Sequence, residues 1–259
     1  MIAKRTMAAL FAIAVVTTPA GAEPTAKPDI TLKTKAAEIS VSVDAAIKAD
    51  PALAANCLAE GKRWADKHRG EAEEAHRDDP KIFPKDGYGY ERNYVTASVV
   101  GDRYVSLLRK DYEYSGGAHP NSYTDTILWD RSVKKRISIR PFFAETADNG
   151  PTMNAMVKAI VAALKEEKKK RDIEDSPEMD WYKGIEPSLL KLGPVSLAPS
   201  TEAGKSSGLT FNYSPYAVGS YAEGAYRAFV PWQTLKPYLS AEGAAIFRGE
   251  RPASDKDAD

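Results

Sequence analysis

The sequence predicts an α+β chain in which antiparallel strands, joined by short turns, are covered by amphipathic helices. Three observations carry this. Residues 90–100 and 103–115 alternate apolar and polar side chains around a Gly101-Asp102 turn. Residues 123–129 and 133–139 do the same around Asp130-Arg131-Ser132. Period-two alternation with such tight connections is hairpin grammar, because parallel strands need a long crossover between them. Further on, Met153, Met156, Val157, Ile160, Val161 and Leu164 recur at helical spacing. One apolar stripe of that kind covers a sheet.

Composition narrows the class. The chain has 259 residues, with 36 Lys+Arg against 36 Asp+Glu, which bounds it to one or two domains. Apolar residues at 43% and charged residues at 28% exclude a disordered, collagenous or disulfide scaffold for most of the chain. A net charge of zero argues against a dedicated nucleic-acid binder. The single cysteine, Cys57, rules out an internal disulfide and any multi-cysteine zinc site.

From the N-terminus, Lys4 and Arg5 precede an apolar run over residues 7–16, and Ala20-Gly21-Ala22 gives the small-x-small pattern of a signal-peptidase site. The expectation is a secretory signal over residues 1–22, cut after Ala22, and a periplasmic or secreted mature chain. The apolar run is short of the roughly 20 residues that span a bilayer, so no membrane span is expected after cleavage. Losing Lys4 and Arg5 leaves a net charge of −2, with 34 basic and 36 acidic residues. Residues 23–37 read as a flexible leader of Ala, Lys, Thr and Pro.

A half-buried strand follows over residues 38–44, with Ile39, Val41 and Val43 on one face. Residues 52–75 read as a helix with Leu53, Cys57 and Trp64 along one face and Leu58 and Ala65 beside them. Asp79-Pro80 and the 83–87 segment stop it. In the 103–115 strand Tyr104, Leu108, Tyr112 and Tyr114 share one face and Arg109, Asp111 and Glu113 the other. The helix from Pro151 takes Asp148 or Asn149 as its expected cap and ends on Lys168, Lys169, Lys170 and Arg171, a solvated terminus suited to the helix dipole. Residues 172–206 read as irregular, 209–214 and 225–230 as short strands, and 231–239 as a short helix. Another apolar turn extends to Phe247, and the charged tail 248–259 reads as loose.

The densest unusual stretch is Tyr112-Glu113-Tyr114-Ser115-Gly116-Gly117-Ala118-His119-Pro120-Asn121. Two glycines open conformations closed to other residues, and Pro120 then fixes the chain. The segment reads either as a demanding turn with His119 bonded to backbone, or as a platform presenting His119, Asn121 and nearby tyrosines. Both readings hold together. Seven of the thirteen tyrosines fall within 88–123 and four more within 213–226, so the two clusters line one groove if they meet in space. Catalytic patterns are sparse. His68, His76 and His119 form no HxxxH or HExxH pair, and there is no GxSxG elbow. Ser115 and Asp125 near His119, or His119 with Glu113 or Glu223 as acid and base, are the combinations an enzyme would use. Cys57 lies on an apolar stripe and reads as a small buried residue.

The stretch from Tyr112 to Asn121, with the hairpin ending Ile137-Ser138-Ile139-Arg140-Pro141-Phe142-Phe143, resembles the hallmark of the RsiV/PdaC-like extracytoplasmic domain family. Phe211-x-Tyr213-Ser214-Pro215-Tyr216, Tyr221-Ala222-Glu223-Gly224 and Phe229-Val230-Pro231 resemble its second hallmark, in the same order. The resemblance spans residues 39–247 and implies two lobes of antiparallel sheet, each covered by a helix: an N-terminal lobe over 38–122 and a C-terminal lobe over 123–247. Members of that family include an anti-sigma factor ectodomain that senses lysozyme by binding it, and the non-catalytic region of peptidoglycan deacetylases. This sequence carries neither the Thr-Phe-Asp-Asp metal motif nor the HxxxH pair of the deacetylases, and no second apolar segment fit for an anchor.

The expectation is therefore an exported, non-enzymatic cell-envelope binding module whose partner is peptidoglycan or a peptidoglycan-acting protein such as lysozyme. Neither a cofactor nor a metal is expected. The two loops that carry the resemblance supply the candidate binding residues Tyr114, Gly116, Gly117, His119, Asn121, Tyr216, Tyr221, Glu223 and Gly224. An envelope hydrolase and an envelope assembly factor are the alternatives.

Overall fold

Alternation along the central strands puts every second side chain beneath a helix. The computed structural model describes residues 27–81, 83–174 and 178–256, so the expected signal segment lies outside the described residues. Strands β1 (Ile30–Lys33), β2 (Ala37–Val43), β3 (Tyr88–Val100), β4 (Tyr104–Tyr114), β5 (Asn121–Asp130) and β6 (Lys135–Ile137) form a six-stranded sheet in chain order. Both expected hairpins are present, with Val100 facing Tyr104 and Asp130 facing Lys135.

Three features depart from the expectation. Ile30–Lys33, placed in the leader, pairs as an edge strand with β2. β2 and β3 run parallel, joined through α1 (Ala45–Lys48) and α2 (Pro51–Asp78), so one crossover unit sits within the hairpins. β5 and β6 belong to the same sheet as β3 and β4, so a lobe boundary at 122/123 would cut through a sheet.

α2 covers one face of this sheet. Leu53, Cys57 and Ala65 are fully buried against Ile39, Val41, Tyr94, Leu107 and Ile127. Gly61 lets the helix approach closely: a Cβ there would lie 2.7 Å from Val41 Cγ1. The same helix covers charge. Arg92 donates to both oxygens of Asp111, at 2.7 and 2.5 Å, and its guanidinium lies 4.5 Å from the Trp64 ring. The Arg109–Asp111–Glu113 face of β4 is thus the covered one, because these residues pair across strands with Tyr94, Arg92 and Tyr90.

The second layer is a three-stranded antiparallel sheet of β7 (Val195–Leu197), β8 (Gly208–Tyr213) and β9 (Tyr226–Pro231), packed on α3 (Pro151–Lys170). β7 lies in the segment expected to be irregular. Met153, Met156, Ile160 and Leu164 are fully buried, each removing apolar surface worth about 1.5–3 kcal/mol. The α3 start differs from expectation: neither Asp148 nor Asn149 caps it. Gly150 is the cap residue, and the Glu145 carboxylate accepts from Thr152 N at 2.7 Å. Its end differs as well. Lys168 is buried, with Nζ between 5.5 and 5.8 Å from the rings of Trp181, Tyr182 and Tyr226 and 3.5 Å from Glu223 Oε2.

Leu209, Phe211 and Tyr213 of β8 face the core, whereas Thr210 and Asn212 face the large sheet with Ser196. β7 docks there through hydroxyls: Ser98 donates to Leu197 O at 2.6 Å and Ser106 Oγ accepts from Leu197 N at 3.0 Å. After α4 (Trp232–Leu235) and α5 (Ala241–Ile246), the expected loose tail is tied down as far as α6 (Ala253–Lys256). Arg227 and Arg251 hold Asp255 at 2.9 and 2.5 Å, and Trp232 Nε1 donates to Gly249 O. Among the described residues no helix is long and apolar enough to cross a membrane.

Candidate functional site

Two loops separated by about a hundred residues meet where β4 ends and β5 begins. The first, between Tyr114 and Asn121, turns on Gly116 at φ 86° and Gly117 at φ 101°. Both angles are open to glycine and strained for other residues. The Tyr114 hydroxyl reaches Gly117 O at 3.4 Å, and His119 Nδ1 lies 2.9 Å from Pro120 O.

The second loop leaves β8 through a tight turn closed by Ala217 N donating to Ser214 O at 3.1 Å. Its third residue, Tyr216, has φ 70° and is 56% exposed. That position normally takes glycine or asparagine, so a tyrosine is held there against its backbone preference. Ser214 Oγ accepts from Thr124 N at 2.8 Å and fastens the loop to β5.

The two loops form one aromatic cluster. The His119 and Tyr221 rings stack with centroids 3.8 Å apart and planes 20° from parallel. Tyr216 lies 5.3 Å from Tyr221 and 6.4 Å from His119, each tilted by 36°. The Tyr221 hydroxyl donates to Pro120 O at 2.8 Å, locking the loops together. His119 and Tyr216 are exposed, Tyr221 half-buried. The arrangement offers planar rings to a flat apolar surface, with hydrogen-bonding groups at the rim.

The remaining candidates occupy other roles. Asn121 opens β5 opposite Glu113 and makes no hydrogen bond to the cluster among the described residues. Gly224, at φ 76°, ends the turn over residues 221–223. The Glu223 carboxylate points inward: it accepts from Ser220 N at 2.8 Å and from the Tyr226 hydroxyl at 2.6 Å, with Lys168 close by. Burial pushes its pKa up, but these donors and the lysine outweigh burial and hold it below the usual range. Ser220-x-x-Glu223 spells a capping box, the signal from which this role is readable.

The carboxylates of the acid–base combinations considered from sequence have partners other than His119. Glu113 pairs with His68, Nε2 to Oε1 at 3.6 Å, not with His119. Burial lowers the His68 pKa and raises that of Glu113, the latter aided by the Asp111 charge. Asp125 is taken by Arg109 at 2.8 Å. Cys57 is fully buried and its thiol is pushed up to about 12, chiefly by burial. Among the described residues no group of three or more His, Cys, Asp and Glu could hold a metal ion.

Comparison with known proteins agrees with the layout. No curated protein matches the chain. Two solved structures share its fold: a member of the DUF3298 family from Bacteroides fragilis NCTC 9343 and a DUF3298 family protein from Pseudomonas aeruginosa PAO1. The first aligns with TM-score 0.52 at 16% identity over 82% of this chain and 92% of its own. The second aligns with TM-score 0.52 at 15% identity over 85% and 91%. At these identities the likeness is one of fold. Residues 143–233, from the strand of chain before α3 through β9 and the Tyr216–Tyr221 loop, match the family model described as a protein of unknown function, DUF3298.

Proposed function

We propose that this protein is an exported, non-enzymatic binding module of the cell envelope, similar to the RsiV/PdaC-like domains, and that His119, Tyr216 and Tyr221 form its contact surface. Its ligand is peptidoglycan or a protein that acts on it, such as lysozyme. The observation that supports this reading is the ring cluster built by the two loops, with Tyr221 half-buried in the stack and His119 and Tyr216 exposed. An exposed tyrosine kept at φ 70° is a costly way to end a turn, and strain of this kind persists where it positions a contact. Tyrosine supplies large contact area with few torsions to freeze.

The test is calorimetric titration of the chain lacking residues 1–22 with a c-type lysozyme and, in parallel, with soluble muropeptides. Saturable heat with either ligand is expected. Tyr216→Ala and Tyr221→Ala should each weaken it about tenfold or more, the usual cost of losing an aromatic anchor. Heat that is unchanged in both variants would remove the cluster from the interface. N-terminal sequencing of the exported protein should begin at Glu23.

A further inference from the structure

The second face of the six-stranded sheet is only partly covered. β7 lies over the end that carries Ser98 and Ser106, and the opposite end stays open. Strand register fixes which side chains share the open part. One row runs Lys33, Glu38, Gly89, Tyr114; the next runs Thr31, Ser40, Glu91, Tyr112. The loop containing Pro84 and Asp86 on one side and Pro28 on another wall a cleft of about 610 Å³. That volume is in the range of small-ligand sites. Gly89 keeps its floor open, since a Cβ there would meet no atom within 4 Å. Tyr112 is 38% exposed.

The lining has one sign of charge. Glu38, Asp86 and Glu91 contribute carboxylates, and no Lys, Arg or His lines the cleft among the described residues. Glu38 meets Lys33 at the rim, at 2.9 Å, whereas Asp86 and Glu91 make no ion pair among the described residues. The hydroxyls of Thr31 and Ser40 extend the floor on the side of Glu91 away from Tyr112.

We propose that this cleft binds an amine-bearing oligosaccharide of the glucosamine type. The tyrosine rings meet the flat C–H faces of the sugar, Glu91 and Asp86 hold ammonium groups, and the hydroxyls pair with sugar hydroxyls. Free carboxylates or phosphates on a ligand would be repelled. The assignment deepens the envelope-binding reading and rests on it. It adds a second subsite, adjacent to the ring cluster through Tyr114, whose hydroxyl contacts the Gly116-Gly117 turn.

The experiment titrates the chain lacking residues 1–22 with a glucosamine hexamer, its fully N-acetylated counterpart and hexalysine, at low salt and mildly acidic pH. The glucosamine hexamer should bind saturably. The acetylated hexamer should bind roughly tenfold more weakly, the scale of one lost charge-assisted hydrogen bond. Glu91→Gln and Tyr112→Ala, both at exposed positions, should weaken the amine ligand by a similar factor and leave the circular dichroism spectrum unchanged. Tyr221→Ala should leave this affinity intact while weakening lysozyme or muropeptide binding, which separates the two subsites. Three results would overturn the assignment: no heat with the glucosamine hexamer, affinity indifferent to Glu91→Gln and Tyr112→Ala, or hexalysine binding as tightly as the sugar. Silence of the hexamer with retained lysozyme or muropeptide binding removes the cleft alone and leaves the ring cluster standing.

Discussion

The imidazole of His119 lies face to face with the ring of Tyr221, and the Tyr221 hydroxyl donates to the carbonyl of Pro120, the residue after that histidine. Ring and hydroxyl therefore contribute separately. Tyr221→Phe should cost about 1 kcal/mol, one net hydrogen bond, and keep the stack. Tyr221→Ala should cost roughly 1 kcal/mol more. Urea denaturation measures both, and the His119 ring protons should lose their upfield shift only in the alanine variant.

The Arg92–Asp111 pair is buried beneath α2, with side chains 6% and 8% exposed. Asp111→Ala would strand a guanidinium away from water and should destabilise by about 3–5 kcal/mol. Replacing both partners by apolar residues of similar volume should cost much less than that. Equal losses in the single and double variants would show that packing, not the uncompensated charge, dominates.

Acid stability should depend on Glu60. Burial raises its pKa, but hydrogen bonds from Arg136 and Tyr94 and the charges of Arg136 and Arg109 overcome burial and hold it at about 2, against an ordinary 4.5. Below 4.5 the unfolded chain takes up a proton that the folded chain refuses. The stabilisation is therefore full above 4.5 and is lost as pH falls toward 2. Its size is about 3 kcal/mol. Asp130, held at about 2 mainly by the Arg103 hydrogen bond, titrates in the same window, so Glu60→Gln should flatten the acid limb of a urea-midpoint profile without abolishing it. An unchanged limb would mean that Glu60 stays paired when unfolded.

Two glycines share a positive φ but differ in steric crowding. At Gly208, φ is 151° and an added Cβ would also collide with Val230 O and lie 3.0 Å from Pro231 Cα, so Gly208→Ala should cost about 3 kcal/mol or more. At Gly117, φ is 101° and nothing lies within 4 Å of the Cβ position, so Gly117→Ala should cost only the strain, about 1–2 kcal/mol. Thermal melts of the two variants should differ in that order.

What could be read from the chain followed the range of each signal. Long alternating strands and the Met153–Leu164 stripe were legible because their periods run over many residues. Ile30–Lys33 and Val195–Leu197 are four and three residues long, too short for a period to emerge. The parallel pairing of β2 with β3 and the pinning of Asp255 by Arg227 depend on partners far along the chain. Burial of Lys168 depends on Trp181, Tyr182 and Tyr226, which no helical spacing announces. At the site, the convergence of two tyrosine-rich loops was foreseeable as a condition, whereas the His119–Tyr221 stack and the left-handed Tyr216 are properties of the docked loops. The inward turn of Glu223 is visible only when Ser220 is read with it.

Neighbouring residues of β5 serve different cores: Ile127 and Trp129 pack under α2, while Leu128 between them joins the cluster beneath α3. β4 does the same with Val105 and Tyr104. The division between the two halves is thus the plane of a sheet, not a position in the chain: even a cut after β5, which leaves the α2 core whole, strips the α3 core of Val100, Tyr104 and Leu128. Melting one half strips the other of its floor. Calorimetry should record one cooperative endotherm, and fragments severed near residue 122 should recover native signal only when mixed.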